Sequence, residues 1–177
     1  MISPTIELSA LPTALQSADA LLDGLLDYYP HAIPAADASH LYQQLLQEIP
    51  WQTAHIHIYG RTQQIPRLQS WHGEAGTGYT YSGKTLEPLP WTPALTTLRH
   101  WLNQTFSARI NAVLCNLYRD GNDCMGWHAD DEPELGHAAQ IWSLSFGAER
   151  DFALRRCGST RQAGVLPLQH GSLLHMK

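Results

Sequence analysis

The chain lacks any apolar run approaching the roughly 20 residues that a bilayer-crossing helix needs. Its first ten residues, MISPTIELSA, show no basic stretch leading into an apolar one. A soluble, unprocessed protein with no membrane partner is therefore expected. Cysteine is scarce: Cys115, Cys124 and Cys157 make an odd set without C-x-x-C spacing, which argues against a disulfide framework or a cysteine zinc site and suits a reducing cytoplasm, or the nucleus of a eukaryote. Lys and Arg are missing from residues 1–60, which hold six acids, whereas residues 61–177 hold ten acids against eleven bases. The net charge of -5 thus sits in the first third, and the remainder is neutral enough to meet phosphates without being a basic patch. Internal repeats and low-complexity segments are absent. With 177 residues, 44% apolar and 15% charged, the chain suits one domain around one core and excludes disordered and fibrous classes.

Residues 1–36 carry leucine pairs broken by Gly24, Pro30 and Pro34, and read as a loosely packed lead-in with one short helix. The domain proper is placed at 37–177. After Asp37 or Ser39 as N-cap, Leu41, Tyr42, Leu45, Leu46 and Ile49 recur at helical spacing until Pro50. The run from His55 to Tyr59 alternates with period two, placing His55, His57 and Tyr59 on one face of a strand. Glycines and prolines across 61–91, around Tyr79-Thr80-Tyr81, suggest hairpins and loops. Thr92 as N-cap with Pro93 at the first helical position opens a second helix, striped by Leu95, Leu98, Leu102 and Phe106. Short β-rich runs follow at 110–118, 141–146, 151–154, 165–168 and 172–176, so an α+β domain on a sandwich or small barrel is expected.

The group with most chemical promise is Trp127-His128-Ala129-Asp130, since residues two apart on an extended chain point the same way, and imidazole plus carboxylate suits iron. The pattern alone is weak. Ten histidines and sixteen acids predict about one H-x-[DE] by chance, and His72-Gly73-Glu74 is a second. A surface hydrogen-bonded pair is the ordinary fate of either. Context favours His128, which follows a core strand, a glycine turn and the cluster Asp130-Asp131-Glu132, expensive to assemble without a cation. A solvated turn before Pro133 is the ordinary alternative for Asp131 and Glu132. For Tyr79 and Tyr81 it is a half-buried strand.

Taken together, Asn116-Leu117-Tyr118-Arg119-Asp120-Gly121, His128-Ala129-Asp130-Asp131-Glu132, Ser143 to Ala148 and His170-Gly171-Ser172-Leu173-Leu174 resemble the AlkB family of iron(II)- and 2-oxoglutarate-dependent dioxygenases, in order and in spacing. Upstream, Pro66-Arg67, His72-Gly73-Glu74 and Tyr79 to Gly83 resemble its branch that repairs alkylated nucleic acid. The resemblance runs from about Tyr59 to Lys177. It implies a double-stranded β-helix (jelly roll) core with N-terminal helices and a nucleotide-recognition lid. By resemblance, His128 and Asp130 are two of three Fe(II) ligands and the catalytic residues, and Asn116 and Tyr118 bind the cosubstrate 2-oxoglutarate. Asp131 and Glu132 lie beside the flipped base. Tyr79, Thr80, Tyr81 and Ser82 line its pocket, and Tyr59-Gly60-Arg61 is a finger that fills the gap the base leaves. Aromatic faces suit that task because a base must leave its stack before its Watson–Crick edge is reachable.

The implied reaction is oxidative demethylation of 1-methyladenine or 3-methylcytosine in DNA, with RNA the alternative substrate, releasing formaldehyde and succinate. The alternatives are a catalytically impaired nucleic-acid-binding module, or an oxygenase acting on protein or a small molecule in the same fold. A monomer is expected. The family's distal histidine and two 2-oxoglutarate-binding arginines fall beyond His175-Met176-Lys177, so the domain reads as C-terminally incomplete. Little turnover is expected of this chain, and activity of one extended by roughly 30 to 40 residues to complete the metal site.

Overall fold

The computed structural model describes residues 19–21, 24–58, 60–81, 84–130 and 140–177. Along the chain run β1 (Asp19–Leu21), β2 (Leu26–Tyr29), α1 (Ala35–Glu48), β3 (Gln52–Ile58), β4 (Arg61–Gly73), β5 (Tyr79–Tyr81), β6 (Lys84–Leu86), α2 (Pro93–Phe106), β7 (Ala112–Leu117), β8 (Ile141–Ser145), β9 (Arg150–Arg155), β10 (Gln162–Leu168) and β11 (Ser172–Met176). Every named strand pair is antiparallel. The chain is thus a mixed helix-and-sheet protein, organised as two compact units: residues 1–45 with 129–177, and residues 46–128.

The first unit holds a sheet ordered β1-β2-β11-β8 and the hairpin β9-β10. Leu26, Tyr28 and Leu174 are buried, with Phe152, Leu154, Leu166, Leu168 and Met176 packed on them, every second residue of their strands. Tyr28 can be buried because its hydroxyl is used in both senses. It donates to the Pro167 carbonyl at 2.7 Å and accepts from the Gln169 N–H at 3.1 Å. Within the stretch expected as a loose lead-in with a short helix, residues 19–21 and 26–29 are strands instead. The Leu25-Leu26 pair does not show locally that Leu26 and Tyr28 alternate inward against β11, their partner from the other end of the sequence.

The turn before β11 is built on Gly171. It sits at φ +77, and a Cβ there would come within 2.6 Å of the Ile33 carbonyl oxygen. Its N–H donates to the Ser145 carbonyl at 2.8 Å, and its own carbonyl accepts from Ile33 N–H at 2.9 Å. His170 fixes the same corner: its Nδ1 accepts from Gly147 N–H at 2.9 Å, which leaves Nε2–H to face the Ser39 hydroxyl at 3.1 Å. The His-Gly-Ser segment is thus architectural. Helix α1 begins at Ala35, directly after Pro34 and earlier than the expected caps, with the Pro34 carbonyl accepting from Ala38 N–H.

The second unit holds the sheet β3-β4-β7 and the hairpin β5-β6. Where hairpins and loops were expected, β4 runs unbroken through Pro66. The proline sits inside the register irregularity opposite β3, between the pairs Leu68↔Thr53 and Gln64↔His55, where a missing N–H costs no ladder bond. Helix α2 matches its sequence signals. Thr92 accepts from Leu95 N–H at 3.3 Å, Pro93 takes the first turn, and Leu95, Leu98 and Leu102 are buried together with Trp101. Glu48 caps the same helix end, accepting from Ala94 N–H at 2.9 Å.

Candidate functional site

Strand β7 pairs with β4 so that Asn116 stands opposite Gln69 and Leu117 opposite Leu68. Side chains alternate across a sheet, so Asn116, Gln69 and Arg67 share one face, while Cys115, Ser70 and His72 share the other. Arg67 and Gln69 are buried despite their polarity. Arg67 Nε donates to Asn116 Oδ1 at 2.9 Å, which directs the amide N–H₂ of Asn116 away from the guanidinium. On the opposite face, burial pushes the Cys115 thiol up to about 12, so it is no thiolate nucleophile. Tyr118 follows β7 directly and is half-buried.

Beyond Tyr118 the chain turns on Asp123, a buried carboxylate. It accepts from the Arg119 backbone N–H at 2.9 Å and from Nε and Nη2 of the same arginine at 2.7 and 2.8 Å. Asn122 N–H closes on Asp120 at 2.8 Å, and Cys124 N–H donates to the Pro66 carbonyl at 2.9 Å, tying the turn to β4. This braced turn leads to His128, which is exposed. Its Nδ1 lies 2.8 Å from the Gly126 carbonyl oxygen. A carbonyl only accepts, so Nδ1 donates, and Nε2 is the ring nitrogen through which the imidazole would ligate a metal.

The spacing of His128 and Asp130 was expected to turn both to one side of an extended chain. Both lie on irregular chain between β7 and β8, His128 ending the second unit and Asp130 belonging to the first. Asp130 is exposed, as a metal-ligating carboxylate open to substrate can be. Among the described residues no three His, Cys, Asp or Glu side chains converge.

The rival motif at His72 is settled by hydrogen bonding. His72 is buried, with Nδ1 donating to the Pro90 carbonyl at 2.7 Å and Nε2 accepting from the Ser70 hydroxyl at 3.0 Å, so both ring nitrogens are used. Glu74 of that motif pairs with Arg99, itself stacked 4.8 Å over Trp91. His175 is likewise structural. It lies flat on Trp142 at 3.7 Å, with Nδ1 3.5 Å from Asp27 Oδ2, and burial lowers its pKa against the pull of that carboxylate.

Of the other expected site residues, Gly60 turns at φ +74 between Ile58 and Arg61, which pair, and both Gly60 and Arg61 are exposed. Tyr79, Thr80 and Tyr81 form β5, pairing with Leu86, Thr85 and Lys84. Tyr59, Ser82, Asp131 and Glu132 lie outside the described residues. Sequence reasoning noted Arg67 only within a motif. Its contact with Asn116 depends on the β4–β7 register, and only the strand spacing of Arg67 and Gln69 could have hinted at it.

The sequence model of the 2OG-Fe(II) oxygenase superfamily matches residues 26–177. The chain is 40% identical over 158 residues to human alpha-ketoglutarate-dependent dioxygenase alkB homolog 3, covering 84% of this chain and 54% of that protein. It is 40% identical over 164 residues to human DNA oxidative demethylase ALKBH2, covering 87% of this chain and 63% of that protein. Against mouse DNA oxidative demethylase ALKBH2 the identity is 39%, over 69% of that protein. The chain therefore spans from about half to about two thirds of the length of these curated relatives.

Proposed function

The chain belongs to the 2OG-Fe(II) oxygenase superfamily and, within it, to the AlkB dioxygenases, and from that premise we propose that it oxidatively removes N-methyl groups from nucleobases such as 1-methyladenine and 3-methylcytosine. DNA is the favoured substrate and RNA the alternative. The carrying observation is the hydrogen bond from His128 Nδ1–H to the Gly126 carbonyl, which makes Nε2 the nitrogen that would ligate. His128 and Asp130 would be two of the ligands of ferrous iron, imidazole and carboxylate being donor types that suit it. Held there, iron with 2-oxoglutarate and dioxygen would supply the oxidising power, with one oxygen atom going to succinate as carbon dioxide is lost and the other to the methyl carbon as a hydroxyl. The resulting N–CH₂OH breaks its N–C bond, returning the base and releasing formaldehyde.

This chain's own residues hold and present the reactants. Asn116 and Tyr118 bind the cosubstrate. Tyr79, Thr80, Tyr81 and Ser82 form the lid over the base pocket of a double-stranded β-helix, and aromatic faces there offset the stacking the base gives up. Asp131 and Glu132 favour a cationic methylated base and accept from its exocyclic amine. Tyr59, Gly60 and Arg61 form the finger beside the extruded base, and Gly60 has the positive φ of a tight turn. Arg155, Arg156 and Arg161 are exposed at the β9–β10 end, where guanidinium groups can meet phosphates. Among the described residues no helix is long and apolar enough to cross a membrane. The protein works as a monomer in the cytoplasm, or in the nucleus of a eukaryote.

The test is formaldehyde release from a 1-methyladenine oligonucleotide by the chain extended to complete the metal site, which should require iron(II), 2-oxoglutarate and an intact His128. Release by His128→Ala at the unsubstituted rate removes His128 from the metal. Binding of the methylated oligonucleotide that is indifferent to iron and 2-oxoglutarate, with no formaldehyde formed, overturns the enzymatic reading in favour of a binding module.

A further inference from the structure

A carboxamide is almost two-fold symmetric, so an asparagine that holds an anion faces a choice between two orientations of nearly equal shape and opposite chemistry. One presents N–H donors to the carboxylate. The other presents an oxygen, which repels it. Water leaves both open, and selecting one takes a neighbour of fixed polarity on the far side of the amide.

Arg67 is such a neighbour. A guanidinium has five N–H donors and no acceptor, and at neutral pH it never loses its proton. Its Nε stands 2.9 Å from Asn116 Oδ1, and the residue is only 3% exposed, so water does not readily replace the amide oxygen as its acceptor. The backbone beneath it is pinned on two sides. Leu68 pairs with both Thr53 of β3 and Leu117 of β7, and the carbonyl of the preceding Pro66 accepts from Cys124 N–H at 2.9 Å. Flipping Asn116 would set N–H₂ against N–H and leave the Nε–H of buried Arg67 without its acceptor.

We propose that Arg67 is a positioning residue for the cosubstrate: by donating Nε–H to Asn116 Oδ1 it holds the Asn116 amide with its N–H₂ turned to the carboxylate of 2-oxoglutarate. The inference rests on the assignment of Asn116 to 2-oxoglutarate made above. Arg67 acts through the amide, on cosubstrate affinity, and leaves the methylated base and the hydroxylation step alone.

The experiment measures anaerobic 2-oxoglutarate binding by calorimetry in the full chain loaded with iron(II), together with the side-chain N–H resonances of Arg67 and Asn116 in the unloaded protein. In the unsubstituted chain the Arg67 Nε–H should be protected from solvent exchange, and Asn116→Ala should abolish that protection. Arg67→Gln should weaken 2-oxoglutarate binding roughly ten-fold, the factor carried by a buried hydrogen bond left unmade, with affinity for methylated oligonucleotide unchanged. Should Arg67→Gln not fold, Asn116→Asp serves: it keeps an acceptor for Arg67 and removes the donor, so it should retain the protected Nε–H and lose 2-oxoglutarate binding. Arg67→Gln binding 2-oxoglutarate as tightly as the unsubstituted chain, or an unprotected Nε–H, overturns the inference while Asn116→Ala still weakens binding. If Asn116→Ala and Asn116→Asp both bind 2-oxoglutarate normally, it is the assignment of Asn116 that fails.

Discussion

Replacing Gly171 by alanine tests the corner that joins β10 to β11. Two separable effects oppose the substitution. An L-residue at φ +77 enters the left-handed region at about 1–2 kcal/mol. The added methyl would meet the Ile33 carbonyl oxygen at 2.6 Å and Ala38 Cβ at 3.1 Å. Such overpacking typically adds about 1–3 kcal/mol. The sum is about 2–5 kcal/mol, and at about 2–4 °C per kcal/mol for a chain of this size the melting temperature should fall by roughly 4–20 °C. Gly158→Ala separates the terms, because Gly158 also has positive φ, +75, but a Cβ added there would meet nothing within 4 Å. It should show the conformational term alone, about 1–2 kcal/mol. Thermal melts of the two variants beside the unsubstituted chain suffice. Equal losses in Gly171→Ala and Gly158→Ala would refute the close approach of Gly171 to Ile33.

Iodoacetamide at pH 8 should label two of the three cysteines in the folded protein, the exposed Cys124 and Cys157, since burial raises the Cys115 thiol to about 12, and mass spectrometry counts the adducts. A third adduct without denaturant would place Cys115 in solvent. His175 predicts the direction of pH dependence: its folded pKa lies below the ordinary value, so the unfolded chain takes up the proton first and stability falls as pH drops from about 6.5 through the lower folded value. Urea unfolding between pH 7.5 and 5 should show a shallower loss in His175→Phe, which keeps the stack on Trp142; an unchanged slope would clear His175 of the effect.

What the sequence carried was local. Helix α2 was legible because its N-cap, its first-turn proline and its leucine stripe lie within one short segment, and β11 was legible residue for residue from its turn and its β-rich run. Where meaning depended on a distant partner it was hidden. Tyr28 is a core residue because of the carbonyl of Pro167, 139 positions away, and Leu26 with Tyr28 forms a strand only because β11 is there to pair. Pro66 misled for a related reason. A proline ends a strand only where the ladder needs its N–H, and at the irregularity opposite β3 it does not.

The histidines show how the same limit applies to chemistry. Composition offered His72 and His128 as equal matches to one pattern; sequence context favoured His128, and the polarity of their hydrogen bonds adds a difference that no spacing encodes. His72 spends one ring nitrogen as donor to the Pro90 carbonyl and the other as acceptor from the Ser70 hydroxyl. His170 does the reverse, accepting at Nδ1 from a backbone N–H. His128 meets a carbonyl at Nδ1, so its remaining nitrogen is the basic one. Asn116 follows the same logic, since a neighbour that can only donate decides which end of a symmetric amide faces outward. Residue type nominates a ligand, and the fixed polarity of its neighbour decides whether it can serve.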